Sequence, residues 1–218
     1  MISNDQLKIR GYGGRPLKNR YLKQSDDTQE VALVFPGLAY NSSMPLLHYS
    51  IETILASGIN VLTVDYDYSN NSEFMKQSQT TKSNWLIEDI EGALSVITEE
   101  ENQKVVCLTG KSLGTLALGH LLETYDNLRD VKTIWLTPLI KNPELLEQML
   151  AYMKDAVMVI GTKDPHYDRD IVDRLNASTQ LSGIIIDGAN HSLEIDGDVT
   201  QSLRVLMQIV AILQQFLA

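Results

Sequence analysis

The stretch Val105-Val106-Cys107-Leu108-Thr109-Gly110-Lys111-Ser112-Leu113-Gly114 decides how the rest of the chain is read. Four apolar residues at its start form a strand with no polar alternation, and an apolar segment of helical period follows Gly114. Between the two, Gly-x-Ser-x-Gly places a serine flanked by residues without side chains. A strand that turns abruptly into a helix needs such neighbours, because a Cβ at Gly110 or Gly114 would strike adjacent backbone. The turn lifts the Ser112 hydroxyl above the sheet edge, and the following helix N-terminus favours negative charge beside it. Gly110-Lys111-Ser112 is also the tail of a phosphate-binding loop, Gly-x4-Gly-Lys-Ser/Thr. That motif requires glycine at position 105, where this chain has Val105, and its flexible loop would have to replace a strand.

Outward from this turn, short apolar runs alternate with helical ones. Strands are expected at Val31–Phe35, Asn60–Val64, Lys104–Thr109, Val131–Leu136, Ala156–Ile160 and Gly183–Ile186. Helices are expected at about Met44–Ala56, with Ser43 as N-cap and Pro45 in the first turn, and at about Ser83–Thr98, Ser112–Thr124, Glu144–Met153, Asp168–Leu175 and Gln201 to the end. Such alternation predicts an α/β fold, a mostly parallel central sheet with helices on both faces. Leu7–Tyr12 and Leu17–Leu22 flank Gly13-Gly14-Arg15-Pro16 and predict an N-terminal antiparallel hairpin at one sheet edge. With 218 residues and no linker-like tract, one domain over residues 1–218 is expected. The polar connections Asp65–Thr81 and Thr137–Asn142 are too short for a separate cap domain, so the pocket should be shallow and open.

A serine hydroxyl needs a base, and the base needs an orienting acid. Of four histidines, His48 and His120 fall within helices and His166 follows a proline. His191 lies after the last strand, in Asp187-Gly188-Ala189-Asn190-His191-Ser192, at the carboxyl end where sites in open α/β sheets form. Asp164, in Gly161-Thr162-Lys163-Asp164-Pro165, likewise ends a strand between Ser112 and His191. Asp187 competes for the acid role but stands only four residues from His191, and Asp168 and Asp170 are weaker candidates. Two backbone N–H groups should hold an oxyanion, one from Leu113 and one from Leu38 in Pro36-Gly37-Leu38-Ala39-Tyr40. Tyr40 and Tyr66–Tyr68 are candidates to line a substrate cleft. Asp65-Tyr66-Asp67-Tyr68-Ser69 is not a calcium loop, because Asn70 and Lys76 stand where glycine and glutamate are required.

With these pieces assembled, the chain resembles the α/β-hydrolase superfamily over nearly its whole length, and looks most like the small capless serine esterases and dienelactone-hydrolase-like members. Phe35-Pro36-Gly37-Leu38, Gly110-Lys111-Ser112-Leu113-Gly114, Gly161-Thr162-Lys163-Asp164-Pro165 and Gly188-Ala189-Asn190-His191-Ser192 carry the resemblance. It implies a serine hydrolase of esters or thioesters, without a cofactor or metal. Many relatives have His-Gly in place of Pro36-Gly37, and dienelactone hydrolases proper use a cysteine nucleophile where this chain has Ser112. Two other readings keep the same residues: a non-catalytic binding or scaffolding protein, and an acyltransferase.

Composition narrows the partners. A formal net charge of −10 argues against a nucleic-acid partner, whose phosphates demand clustered Lys and Arg. The apolar stretch Leu203–Leu217 is interrupted by Arg204, Gln208, Gln214 and Gln215, and reads as a packed terminal helix rather than a membrane span. The lone Cys107 forms no intrachain disulfide and reads as a small core residue. Met1-Ile2-Ser3-Asn4-Asp5 has neither the basic nor the apolar region of a secretory signal, so a cytoplasmic protein acting on a small acyl substrate is expected.

Overall fold

The computed structural model describes residues 2–24, 28–179 and 181–218. Eight strands form one sheet: β1 (Ser3–Asp5), β2 (Asn19–Lys23), β3 (Glu30–Phe35), β4 (Asn60–Val64), β5 (Lys104–Lys111), β6 (Lys132–Leu136), β7 (Ala156–Gly161) and β8 (Leu181–Ile186). Their spatial order is β1-β2-β4-β3-β5-β6-β7-β8, with β3 to β8 parallel and β1 and β2 antiparallel. Helices α1 (Pro45–Ala56) and α7 (Val199–Leu217) cover one face. The other face carries α3 (Gln79–Ser95), α4 (Gly114–Thr124), α5 (Pro143–Tyr152) and α6 (Arg169–Ser178), with the single turn α2 (Ser72–Met75) before α3. Covering on both sides explains the unbroken apolar runs: every residue of β7 is buried, as is all of β3 after Glu30.

The chain steps outward from β3 to β4, then crosses back to place β5 on the other side of β3. Strand order therefore reverses between β3 and β5, and a crevice opens above their carboxyl ends. The loop after β3 and the turn after β5 meet there. Asp65, just beyond β4, organises the first of them by accepting from the Ser42 N–H (2.9 Å) and hydroxyl (2.6 Å). Buried Cys107 faces no reactive partner, and desolvation pushes its thiol up to about 12.

Several expected boundaries move for identifiable reasons. The N-terminal antiparallel pair lies at the sheet edge, but its strands are Ser3–Asp5 and Asn19–Lys23 rather than Leu7–Tyr12 and Leu17–Leu22. Residues between them turn away from the sheet, because Ile9 and Leu17 bury into the α3 side of the core and Asn19 ties Leu7 and Leu17 by side-chain hydrogen bonds. The Tyr12 ring stacks on Trp85 at 4.4 Å, and its N–H donates to Asp89 Oδ1 at 2.8 Å. Ser43 does not cap α1. Its N–H donates to Asn41 Oδ1, Met44 occupies the cap, and Pro45 opens the helix. Helix α3 begins four residues earlier than the expected Ser83, capped by Ser78.

Asp89 is 3% exposed and accepts from both the Tyr12 N–H and the Tyr68 hydroxyl; burial pushes its carboxyl above the ordinary range despite these donors. Replacing it with alanine leaves the buried Tyr68 hydroxyl and the partly buried Tyr12 N–H unpaired. Asp89→Ala is therefore expected to lower unfolding free energy by about 3 kcal/mol, measured by urea denaturation, with the m-value unchanged.

Candidate active site

Strand β5 runs straight into the turn that carries Ser112, whose φ of 51° places a non-glycine residue in the left-handed region. Such a conformation costs on the order of 1–3 kcal/mol and persists only where surroundings enforce it. The surroundings do so here. A Cβ on Gly114 would lie 2.0 Å from Phe35 O, and one on Gly110 would lie 2.6 Å from Gly114 O. The Ser112 N–H donates to Leu136 O at 3.0 Å, pinning the turn to the end of β6.

His191 and Asp164 arrive from two neighbouring loops. The His191 Nε2 lies 2.8 Å from Ser112 Oγ, and its Nδ1 lies 2.7 Å from Asp164 Oδ2. With the ring proton on Nδ1, His191 donates to the carboxylate and accepts from the hydroxyl, so that tautomer satisfies both contacts. The Asp164 side chain is fully buried, and its other oxygen accepts from the His166 N–H at 2.8 Å. The two loops are stitched together: the Lys163 N–H donates to Ala189 O, and the Gly188 N–H donates to Thr162 Oγ1. Asp187, the rival acid, accepts instead from the Thr162 hydroxyl. Of the remaining histidines, His48 is exposed on α1, His120 pairs with Glu91, and the His166 ring sits 5.4 Å from that of His191.

Leu113 follows the serine directly, and Leu38 lines the same cavity as Leu113. Neither backbone N–H donates to an acceptor among the described residues, whereas the N–H of Gly37, just before Leu38, donates to Tyr40 O. A Cβ on Gly37 would stand 3.4 Å from the Ser112 Cβ, so the loop after β3 passes directly against the nucleophile turn. From Leu38 and Leu113 a cavity of about 330 Å³ extends between α2, α3, α4 and α5, walled by Phe74, Met75, Leu86, Ile87, Leu116 and Leu145. This corrects the expected shallow cleft: the Asp65–Thr81 connection folds into α2 and supplies one wall. Tyr40 is not part of that cavity. It is 8% exposed, its hydroxyl accepts from the Leu46 N–H, and it belongs to the α1/α7 side of the core. Tyr66 and Tyr68 stack on each other, buried on the α3 side. No group of three or more His, Cys, Asp or Glu side chains among the described residues is placed to hold a metal, and no helix among them is long and apolar enough to cross a membrane.

One residue of the site escaped the sequence reading. Lys111, beside Ser112, is 1% exposed. Its ammonium donates to His191 O (3.0 Å) and Thr137 Oγ1 (3.2 Å) and sits 4.5 Å from the centroid of the Tyr40 ring. The available signal was a lysine continuing an otherwise buried strand. Burial lowers its pKa from 10.5 to about 8, against the opposing charges of Asp164 and Glu194. The cost of burying the charge is therefore complete below pH 8 and falls away as pH rises towards 10.5. Lys111→Met should accordingly be more stable than wild type below pH 8, and that margin should shrink between pH 8 and 10.5 in parallel urea titrations.

Residues 37–217 match the family model described as the alpha/beta hydrolase domain. No curated protein sequence matches the chain. Solved structures share its fold at low identity. An esterase from Pyrococcus furiosus is 15% identical with a TM-score of 0.71, covering 100% of this chain and 94% of its own. A dienelactone hydrolase from Anabaena variabilis is 16% identical with a TM-score of 0.72, covering 99% and 96%. An α/β serine hydrolase without a lid from Xanthomonas campestris is 16% identical with a TM-score of 0.68, covering 98% and 93%. Matched along most of its length, with a mostly parallel sheet, a serine on the turn after β5 and a histidine after β8, this chain belongs to the alpha/beta hydrolase domain family.

Proposed function

We propose that the protein is a serine hydrolase acting on esters or thioesters through an acyl-enzyme. The observation that carries this reading is the continuous relay from Ser112 Oγ to His191 Nε2 and from His191 Nδ1 to buried Asp164. His191 takes the serine proton as Ser112 Oγ attacks the acyl carbon, and Asp164 holds the tautomer and stabilises the imidazolium. The unused N–H groups of Leu38 and Leu113 receive the oxyanion. Collapse expels the alcohol or thiol, which takes its proton from His191. Water, deprotonated by His191, then attacks the acyl carbon and releases the acid and a free Ser112.

The cavity beginning at Leu38 and Leu113 takes the acyl group. Leucine, isoleucine, methionine and phenylalanine form its apolar wall, beside polar groups such as Lys82, His120 and Glu123, so an acyl chain gains by burial against the apolar side. Each methylene held there contributes about 0.8 kcal/mol, or about fourfold in kcat/KM.

Intact-mass measurement after fluorophosphonate treatment tests the nucleophile: wild type should gain one adduct, and Ser112→Ala none. A folded wild type that stays unlabelled would sink the reading. Asp164→Asn should reduce kcat by a factor on the order of 10⁴, since the imidazole loses the acceptor that holds its tautomer. Across a series of p-nitrophenyl esters, Leu116→Trp should lower kcat/KM for octanoate by about tenfold or more while leaving acetate within about twofold. Equal loss on both esters would place the acyl group elsewhere.

A further inference from the structure

The proposed reaction gives the buried ammonium of Lys111 no task. Lys111 projects into the layer between the sheet and helices α1 and α7, where its ammonium meets the Tyr40 ring and Leu136 is its neighbour on β6. Among the described residues no carboxylate forms a salt bridge with it, so the cost of its desolvation is not returned by an ion pair. A methionine or leucine would fill the same apolar space at lower cost. A residue that breaks the local rule so plainly, one position from the nucleophile, calls for a functional reason.

We propose that Lys111 is a positioning residue for His191: reaching from the strand that carries Ser112, its ammonium grips the His191 main-chain carbonyl and so fixes the imidazole relative to the nucleophile. The proposal rests on the serine-hydrolase reading of the same site. The way the loops are tied supports it. The acid and histidine loops hold each other through Lys163 N–H to Ala189 O, Gly188 N–H to Thr162 Oγ1 and the Asp164–His191 contact. None of these bonds sets the distance from that pair of loops to Ser112. The Lys111–His191 O bond of 3.0 Å does, because Lys111 and Ser112 are consecutive.

Thr137, in the left-handed region with a φ of 46°, presents the second acceptor, and its own N–H is held by Val159 O. Two of three ammonium protons are thus taken by oxygen, and the Tyr40 ring face meets the third. The charged and titratable groups facing Lys111 are Asp164 from the loop after β7, Glu194 and His191 from the loop after β8, and Tyr40 from the loop after β3. Burial brings the ammonium down to about 8, so the grip weakens at mildly alkaline pH, when one donor and the positive charge are lost together.

Lys111→Met keeps the length of the side chain and removes its charge and donors. Measured beside wild type for thermal stability, kcat and KM on an ester, and fluorophosphonate labelling rate from pH 6 to 10, it should melt at or above the wild-type temperature. KM should stay within about threefold, while kcat and labelling rate fall by about 100-fold, the loss expected from a misplacement near 1 Å. Wild-type labelling should show an alkaline decline centred at about pH 8 that coincides with the Lys111 side-chain NMR titration, and the variant should lack it.

Rates within threefold of wild type would overturn the proposal, as would a loss of activity that only follows a lowered melting temperature. Should the variant fail to fold, wild type alone decides: no alkaline decline coincident with the Lys111 titration overturns the proposal. A folded wild type unlabelled at every pH sinks the serine-hydrolase reading itself, whereas a labelled wild type matched by Lys111→Met sinks only the role of Lys111.

Discussion

Everything at the carboxyl edge of this sheet depends on one close approach of backbone to backbone. The first turn of α4 lies so near the end of β3 that a Cβ on Gly114 would sit 2.0 Å from Phe35 O. No rotamer change relieves a clash with main chain, so the strand, the turn and the helix are locked as a unit. That lock holds Ser112 at a φ of 51°, a conformation it would leave if the helix could back away. The same approach carries the Pro36–Tyr40 loop past the serine, so close that a Cβ on Gly37 would stand 3.4 Å from the Ser112 Cβ. The strained serine and the loop packed against it are two consequences of one packing constraint.

The histidine side is built on a different principle. Residues 187–198 form no strand or helix, and their geometry comes from individual hydrogen bonds. Asn190 Oδ1 accepts from the Ser192 and Glu194 N–H groups, Ser202 is bonded to Ile195, and Leu193 adopts a φ of 60° while buried in the same core as Tyr40 and Leu46. Such a loop is well defined only while each of its bonds is made. Its ties run to the acid loop, to the start of α7 and, through Lys111, to the nucleophile strand. A site assembled this way sets a Ser112 turn locked by backbone packing against a His191 loop held by separate hydrogen bonds, and the buried Lys111 ammonium bridges the two.

The alternation of apolar runs made the parallel sheet legible because strands covered on both faces cannot hide their composition, and β4 runs from Asn60 to Val64 as expected. Ser112, Asp164 and His191 were readable as a set because each follows a strand at its carboxyl end, in an order that the fold constrains. The N-terminal region was less legible. Ile9 and Leu17 alternate acceptably for a strand, but Asp89 and Trp85, more than seventy residues away, draw that segment onto α3. Helix α2 was hidden because four residues carry no measurable period, although its Asn71 cap is a local signal. Tyr40 looked like a cleft residue from its place near Gly37, yet its side chain turns to the opposite face of the sheet.

The sequence by itself determined the sheet, the order of its layers and the three side chains that the structure brings into hydrogen-bond contact, since periodicity and turn chemistry are local properties. Only the tertiary structure decided the shape of the cavity and the burial of Lys111. Both arise where segments distant in the chain meet: α2, α3, α4 and α5 around the cavity, and β5, Thr137, Tyr40 and the His191 loop around the ammonium. A lysine in a glycine-flanked turn has the same local pattern whether its ammonium reaches solvent or lies beneath the site. What decides between them is the loop that closes over it, eighty residues further along the chain.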